Sequence, residues 1–102
     1  MTNTERMKNL LGLAQRAGKL ETGTDFTLKA VAASKAKLVI LATDASSNLT
    51  KKIQDKCNFY DVPLASPLTV DELSIAIGHV RSVVAVMDAG FAKSFAKLLP
   101  SE

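Results

Sequence analysis

The sequence predicts an α/β fold in which helices cover both faces of a sheet. Helix-like and strand-like segments alternate as helix-strand-helix-strand-helix-strand-helix-strand-helix. Two of the strand-like segments are continuously apolar, which is typical of strands covered on both faces. The 102 residues fit one domain, and no linker, repeat or low-complexity segment divides them. We therefore expect a single domain spanning residues 1–102.

The first half of the chain predicts two helices and two strands. Thr2 and Glu5 form a possible capping box, and Gly18 stands where helices commonly end. Between them, apolar residues at helical spacing are Met7, Leu10, Leu11, Ala14 and Ala17. Residues 19–22 read as a short strand, and residues 37–42 as a strand buried on both faces. The helix between these strands has an apolar stripe of Thr24, Leu28, Val31 and Ala32.

Two further helices and a short strand follow. Ser46 or Ser47 can cap the third helix. Its inner face consists of Leu49, Ile53, Cys57 and Tyr60. Residues 62–65 form a short strand, and Pro63 favours an edge or starting position because proline cannot donate to a ladder. Thr69 and Glu72 suggest a capping box. The fourth helix then carries Val70, Leu73, Ala76 and Ile77, and ends at Gly78.

The last strand covers residues 83–87, and a final helix follows it. That helix is lined by Phe91, Phe95, Leu98 and Leu99. We expect both chain ends, residues 1–4 and 100–102, to fray.

Composition narrows the class of protein. The net charge of +3 and the pI of about 9.2 mildly favour an anionic partner. The only cysteine, Cys57, excludes an intrachain disulfide and fits a reducing compartment. No apolar run approaches a membrane span, and the first residues lack a signal-peptide apolar segment. We expect a cytoplasmic protein that does not enter membranes.

Residues able to support catalysis are scarce. The chain has no GxGxxG, Walker A or HExxH motif. The only histidine, His79, reads as a solvated or phosphate-contacting loop residue, and Cys57 reads as a buried structural thiol. Asp44 follows a strand, where a catalytic role competes with a turn or a cap of the next helix. Asp71 and Glu72 fit the first turn of a helix better than acid–base chemistry. We predict no enzyme, metal or cofactor.

The stretch from Gly23 to Lys29 is the strongest candidate binding site. Gly23 and Thr24 join a strand to a helix, where free N–H groups and the helix dipole suit an anion such as phosphate. Lys29 is placed to reach a phosphate. Phe26 projects opposite the apolar stripe, where it could meet an unstacked base.

Basic residues suggest a surface around this stretch. Lys19, Lys29, His79 and Arg81 lie near the ends of predicted elements and would form a phosphate-binding patch if they shared one rim of the sheet. Lys51, Lys52 and Lys56 can instead simply form the solvent-exposed face of the third helix, without a binding role.

Several ordered segments resemble the kink-turn-binding ribosomal protein family, which includes the proteins "seven-Ae" and "thirty-e". They are residues 11–20, Gly23-Thr24 with Lys29-Ala30, and residues 36–45. Asn48-x-Thr50-Lys51-Lys52, Cys57 and Gly90-Phe91-Ala92-Lys93 resemble the bacterial YlxQ-type branch more specifically. The resemblance extends from residue 7 to residue 97.

This resemblance implies a three-layer α/β/α sandwich with a mixed four-stranded sheet. It also implies RNA binding through the start of the second helix and the loop before the last strand. That loop contains Ile77, Gly78, His79, Val80 and Arg81. In the family, the loop makes apolar contact with a flipped-out base. The family motif matches Gly23, Thr24 and Lys29, whereas Asp25 and Phe26 replace an asparagine and a glutamate.

We therefore predict a non-catalytic RNA-binding protein of the ribosome or another ribonucleoprotein, monomeric when free. Its RNA would be a kink-turn or a related structured element. In this interpretation Gly23 and Thr24 hold phosphate through N–H groups, Lys19, Lys29 and Arg81 neutralise charge, and Phe26 stacks on a base. The alternative is a protein-interaction module on the same scaffold, with Phe26 as its anchor.

Overall fold

The computed structural model describes residues 1–99, which form five helices and four strands in the predicted alternating order. The helices are α1 (Asn3–Arg16), α2 (Thr24–Ala32), α3 (Ser47–Phe59), α4 (Val70–Ile77) and α5 (Ala89–Ala96). The strands are β1 (Leu20–Thr22), β2 (Leu38–Leu41), β3 (Leu64–Ala65) and β4 (Val83–Val86).

The four strands form one mixed sheet in the order β1-β4-β2-β3. Strand β4 pairs antiparallel with both β1 and β2, whereas β3 pairs parallel with β2. Every residue of β2 and β4 is buried because these two strands are central and covered on both faces. The edge position predicted from Pro63 is confirmed, since β3 lies at the border of the sheet.

Helices pack on both faces, so the predicted three-layer sandwich is confirmed. On one face, α1, α4 and α5 cover side chains such as Leu38, Ile40, Val84 and Val86. On the other face, α2 and α3 cover the alternate residues Val39, Leu41, Val83 and Ala85. The period-two alternation of a strand thus divides each apolar run between two cores.

The strands end along two opposite borders of the sheet, which we call the upper edge and the lower edge. At the upper edge, β1, β2 and β3 end and β4 begins; Gly23 donates its N–H to the Val83 carbonyl there at 3.0 Å. At the lower edge, the directions are reversed, and Met87 donates its N–H to the Lys19 carbonyl at 2.8 Å. Helices α2 and α3 each begin at the upper edge and end at the lower edge, because they connect parallel strands.

Four of these five helices begin with a side-chain cap. Both predicted capping boxes are present, at Thr2 and at Thr69. Of the two serines proposed for α3, Ser46 is the cap, and it accepts from the Leu49 N–H at 3.2 Å. Asp88 caps α5. Local sequence therefore fixes these helix starts directly.

Some predicted details are wrong. Asn3 and Thr4 belong to α1 rather than to a frayed end, because the Thr2–Glu5 capping box holds that end. Ala32 is exposed, and the buried residues of α2 are Thr27, Ala30 and Val31. Helix α5 ends before Leu98 and Leu99. Each strand is shorter than predicted. The fraying predicted for residues 100–102 lies outside the described residues.

Asp44 supplies a cap at long range. Its carboxylate accepts a 2.8 Å hydrogen bond from the N–H of Val70, the first residue of α4 and 26 positions further along the chain. The sequence predicted a turn or a cap of the next helix, α3, whereas this bond ties the β2–α3 loop to α4.

We predict that Asp44→Ala lowers the free energy of unfolding by about 1–2 kcal/mol, because a helix-start donor loses its acceptor. Asp44→Asn keeps an acceptor oxygen and should lose less. Urea unfolding monitored by circular dichroism measures both variants. An alanine variant as stable as the wild type would contradict the cap.

Candidate nucleic-acid interface

Gly23 sets the geometry at the start of α2. It is the N-cap, with φ 94° and ψ 164°, a backbone conformation that is essentially restricted to glycine. Its N–H donates to the Val83 carbonyl and so joins the end of β1 to the start of β4. The prediction that this N–H holds phosphate is therefore wrong, because the sheet already uses it.

The first turn of α2 has no side-chain cap, unlike the other described helices. The N–H groups of Thr24, Asp25 and Phe26 are the orphan donors of this turn, at the positive end of the helix dipole. Asp25 is exposed in the same turn, and its carboxylate offsets part of that positive potential. The helix end can nevertheless offer hydrogen-bond donors to an external anion.

Arg81 lies beside this helix start. A Cβ placed on Gly23 would be 3.5 Å from Arg81 Nε, so the guanidinium lies next to the glycine. Arg81 Nη1 also donates to the Val80 carbonyl at 2.7 Å, which orients the side chain. The structure thus brings together two elements predicted to bind RNA: the start of α2 and the loop before β4.

Ser74 of α4, which was not predicted as a site residue, holds the backbone of Arg81 in place. Its hydroxyl accepts from the Arg81 N–H at 3.1 Å and lies 3.4 Å from the Arg81 carbonyl, to which it donates. The available signal was a serine in the apolar second half of α4, where a hydroxyl often bonds to backbone groups.

The loop of residues 78–82 exposes part of its predicted contact set. Gly78 adopts a left-handed conformation, with φ 80°, that ends α4. His79 is exposed, and the Val80 side chain is 79% exposed. Ile77 is only 4% exposed and packs in the α1/α4/α5 core, so its side chain is not available for binding. Val80 is the apolar side chain that this loop presents outward.

Phe26 and Lys29 line a shallow groove beside α2. Phe26 is 61% exposed, which agrees with its predicted position opposite the buried side of the helix. The groove has a volume of about 210 Å³ and also includes Glu21, Lys35 and Met87. An aromatic ring and ammonium groups therefore share one accessible surface with a carboxylate.

Lys19 does not join the residues at the upper edge. It lies at the start of β1, where its carbonyl accepts from Met87 at the lower edge. At about 3.3 Å per strand residue, this places its backbone about 13 Å from Gly23. The predicted single-rim cluster is therefore wrong for Lys19, because the chain traverses the sheet between these two residues.

The described residues do not favour a reactive thiol or a metal site. Cys57 is buried, and desolvation raises the pKa of its thiol, which disfavours the thiolate form. Residues 1–99 contain no group of three or more histidine, cysteine or acidic side chains suited to a metal ion. Over the same range, no helix is long and apolar enough to cross a membrane.

Comparison with known proteins gives a consistent result. The model of the ribosomal protein L7Ae/L30e/S12e/Gadd45 family matches residues 5–96. "RNA-binding protein YlxQ" from Enterococcus faecium is 42% identical over 97 residues, covering 95% of this chain and 94% of the relative. The protein of that name from Bacillus subtilis (strain 168) is 48% identical over 91 residues, covering 88% and 91%. The resemblance to the YlxQ-type branch is thus confirmed.

Solved structures show the same fold. A protein with unknown function from Bacillus halodurans C has a TM-score of 0.87 and 42% identity, covering 91% of this chain and 95% of that chain. The Giardia lamblia 15.5kD RNA binding protein has a TM-score of 0.80 at 21% identity, covering 94% and 83%. The second similarity concerns the fold alone.

We predict that Ser74→Ala releases the Arg81 backbone and lowers the free energy of unfolding by about 1 kcal/mol, because the Arg81 N–H loses its partner. The amide of Arg81 should exchange faster with solvent in a hydrogen-exchange NMR experiment. Ser82→Ala is the matched control, since Ser82 is also half-buried and lies next to Arg81. Unchanged exchange at Arg81 in the Ser74 variant would refute this role.

Proposed function

The chain belongs to the ribosomal protein L7Ae/L30e/S12e/Gadd45 family, and we propose that it is a non-catalytic RNA-binding protein that recognises structured RNA. Two relatives that match most of its length are named as RNA-binding proteins. The finer proposal is a kink-turn-like RNA of the ribosome or another ribonucleoprotein. We place the protein in the cytoplasm and expect a monomer when it is free.

The observation that carries this proposal is the meeting of Arg81 with the uncapped start of α2. The guanidinium lies next to Gly23, and the first-turn N–H groups have no side-chain partner there. A phosphate at this point would receive hydrogen bonds from Thr24 or Asp25 and charge from Arg81. Such contacts position an RNA backbone without reading its sequence.

Side chains around this point can contact bases. Phe26 exposes an aromatic ring beside the phosphate position, and base stacking on such a ring tolerates any sequence. On the opposite side, Val80 offers an apolar contact to a flipped-out base. Lys29, on the exposed side of α2, adds charge for a neighbouring phosphate.

Asp25 and Phe26 give this site its own chemistry. The family motif has an asparagine and a glutamate at these two positions. An ionised Asp25 accepts hydrogen bonds but cannot donate them, and Phe26 stacks but cannot hydrogen-bond to a base edge. We therefore propose that this protein selects bent RNA more by backbone shape and stacking than by hydrogen bonds to base edges.

The first experiment titrates the protein into a labelled kink-turn RNA and into a plain duplex of equal length, at two salt concentrations. We expect preference for the kink-turn and a log–log salt slope of about −2, because Arg81 and Lys29 neutralise two phosphates. Equal, weak binding to both RNAs would refute kink-turn selection. Salt-insensitive association with a protein partner instead would favour an interaction module anchored by Phe26.

Two variants separate charge from stacking. We predict that Lys29→Ala weakens all RNAs alike and reduces the salt slope by about one unit. Phe26→Ala should reduce RNA affinity by about 1–3 kcal/mol, with little change in folding because the ring is exposed. Lys93→Ala and Ile75→Ala are matched controls, as both residues are exposed in the opposite helical layer. Filter binding measures affinity, and thermal unfolding tests whether Phe26 stabilises the fold.

A further inference from the structure

Lysines gather at the lower edge of the sheet, away from the start of α2. Lys19 and Lys37 lie on either side of β4: the Lys19 carbonyl accepts from Met87, and the Lys37 N–H donates to the Val86 carbonyl, both at 2.8 Å. Two strand spacings separate them, which is about 10 Å. Lys35 lines the groove that also contains Met87.

Few negative charges oppose these lysines. In the part of the chain that the structure describes, the ion pair found is Lys51–Asp55, so none of the lower-edge lysines is paired. Asp88 caps α5, where it accepts from the Phe91 N–H at 2.9 Å and keeps its negative charge. Glu21 in the groove and Asp61 after α3 remain as nearby carboxylates. The formal charge near this edge is nevertheless positive, because these three carboxylates are outnumbered by six lysines: Lys19, Lys29, Lys35, Lys37, Lys52 and Lys56.

An exposed aromatic pair lies at the same edge. Helix α3 ends there, because the chain must turn to begin β3, where the Val39 N–H donates to the Pro63 carbonyl. The rings of Phe59 and Tyr60 are 4.9 Å apart and meet edge to face. Phe59 is 79% exposed and Tyr60 36%. These rings line a groove of about 380 Å³ together with Lys52, Lys56 and the carboxylate of Asp55, which is paired with Lys51.

Helix dipoles explain only part of this arrangement. Cations near helix C-termini are favourable, which accounts for Lys56 in the last turn of α3. Lys37 instead precedes a strand, and no dipole effect favours an exposed phenyl ring such as that of Phe59. Aromatic rings flanked by lysines are the usual platform for unpaired bases.

We propose that the lower-edge surface, formed by Lys19, Lys35, Lys37, Phe59 and Tyr60, binds an unpaired RNA strand that flanks the structured element. Phosphates lie along the lysines, and a base stacks on Phe59. This inference rests on the proposed function, because it extends the path of the same RNA beyond the start of α2.

The geometry allows one RNA to reach both surfaces. The backbone distance from Gly23 to Lys19 is about 13 Å, the length of β1 and its flanking residues. Lys29 lies between the two ends on the exposed side of α2 and lines the same groove as Lys35. Lys29 and Lys35 therefore connect the two edges, with Glu21 as the carboxylate between them.

The test compares one kink-turn RNA without a tail against the same RNA with an unpaired tail of about ten nucleotides at either end. The lower-edge variant combines Lys19→Gln, Lys35→Gln and Lys37→Gln. Its matched control combines Lys8→Gln, Lys93→Gln and Lys97→Gln, which remove the same charge from α1 and the α5 region in the opposite layer. Phe59→Ala is paired with Ile75→Ala, because both side chains are largely exposed.

We expect one of the tails to tighten wild-type binding about tenfold, an effect of the size expected for a stacked base with its phosphates. The lower-edge triple variant should lose this gain while binding the tailless RNA like the control triple. Phe59→Ala should lose part of the gain, and Ile75→Ala none.

Four results would overturn the inference. If the tail adds no affinity, or if both triple variants lose the tail's gain in affinity equally, the lower-edge surface does not bind the tail. The proposed function would still stand. If polyglutamate displaces the tail and Phe59→Ala keeps the full gain in affinity from the tail, the surface would instead suit an acidic protein. Wild-type protein that binds neither RNA would instead refute the proposed function and this inference together.

Discussion

The pairing of β4 between β1 and β2 is the constraint on which the rest of the structure depends. This strand comes late in the chain, yet it is a central strand and supplies buried side chains to both cores. Strand β1 joins the sheet only through β4, which lies between β1 and β2. The sheet, and with it the placement of both helical layers, is therefore completed only when residues 83–86 are in place.

The same pairing builds the candidate site. The bond from Gly23 to Val83 fixes the start of α2 against the start of β4, and Arg81 precedes that strand by two residues. Ser74 then holds the Arg81 backbone from α4. The end of the sheet and helix α4 thus position Arg81 in its loop. Binding residues often lie on loops that a rigid scaffold holds in place.

The parallel connections β1–α2–β2 and β2–α3–β3 give the molecule two chemically different ends. Both helices direct their N-termini toward the upper edge and their C-termini toward the lower edge. At the upper edge, the uncapped first turn of α2 lies next to Arg81. At the lower edge, helix ends carry partial negative charge, and lysines outnumber the carboxylates nearby. Both ends consequently present donors and cations, although they do so by different means.

The sequence alone determined the class and order of elements, the capping boxes and the fully buried strands β2 and β4, because these depend on local spacing and polarity. It also identified Phe26 as exposed. Tertiary structure decided which ends of these elements meet. Lys19 moved away from Gly23 because β1 separates them, Ile77 entered the core, and Asp44 capped α4 instead of α3. Strand pairing and long-range hydrogen bonds set these positions, and neither leaves a periodic signal in the sequence.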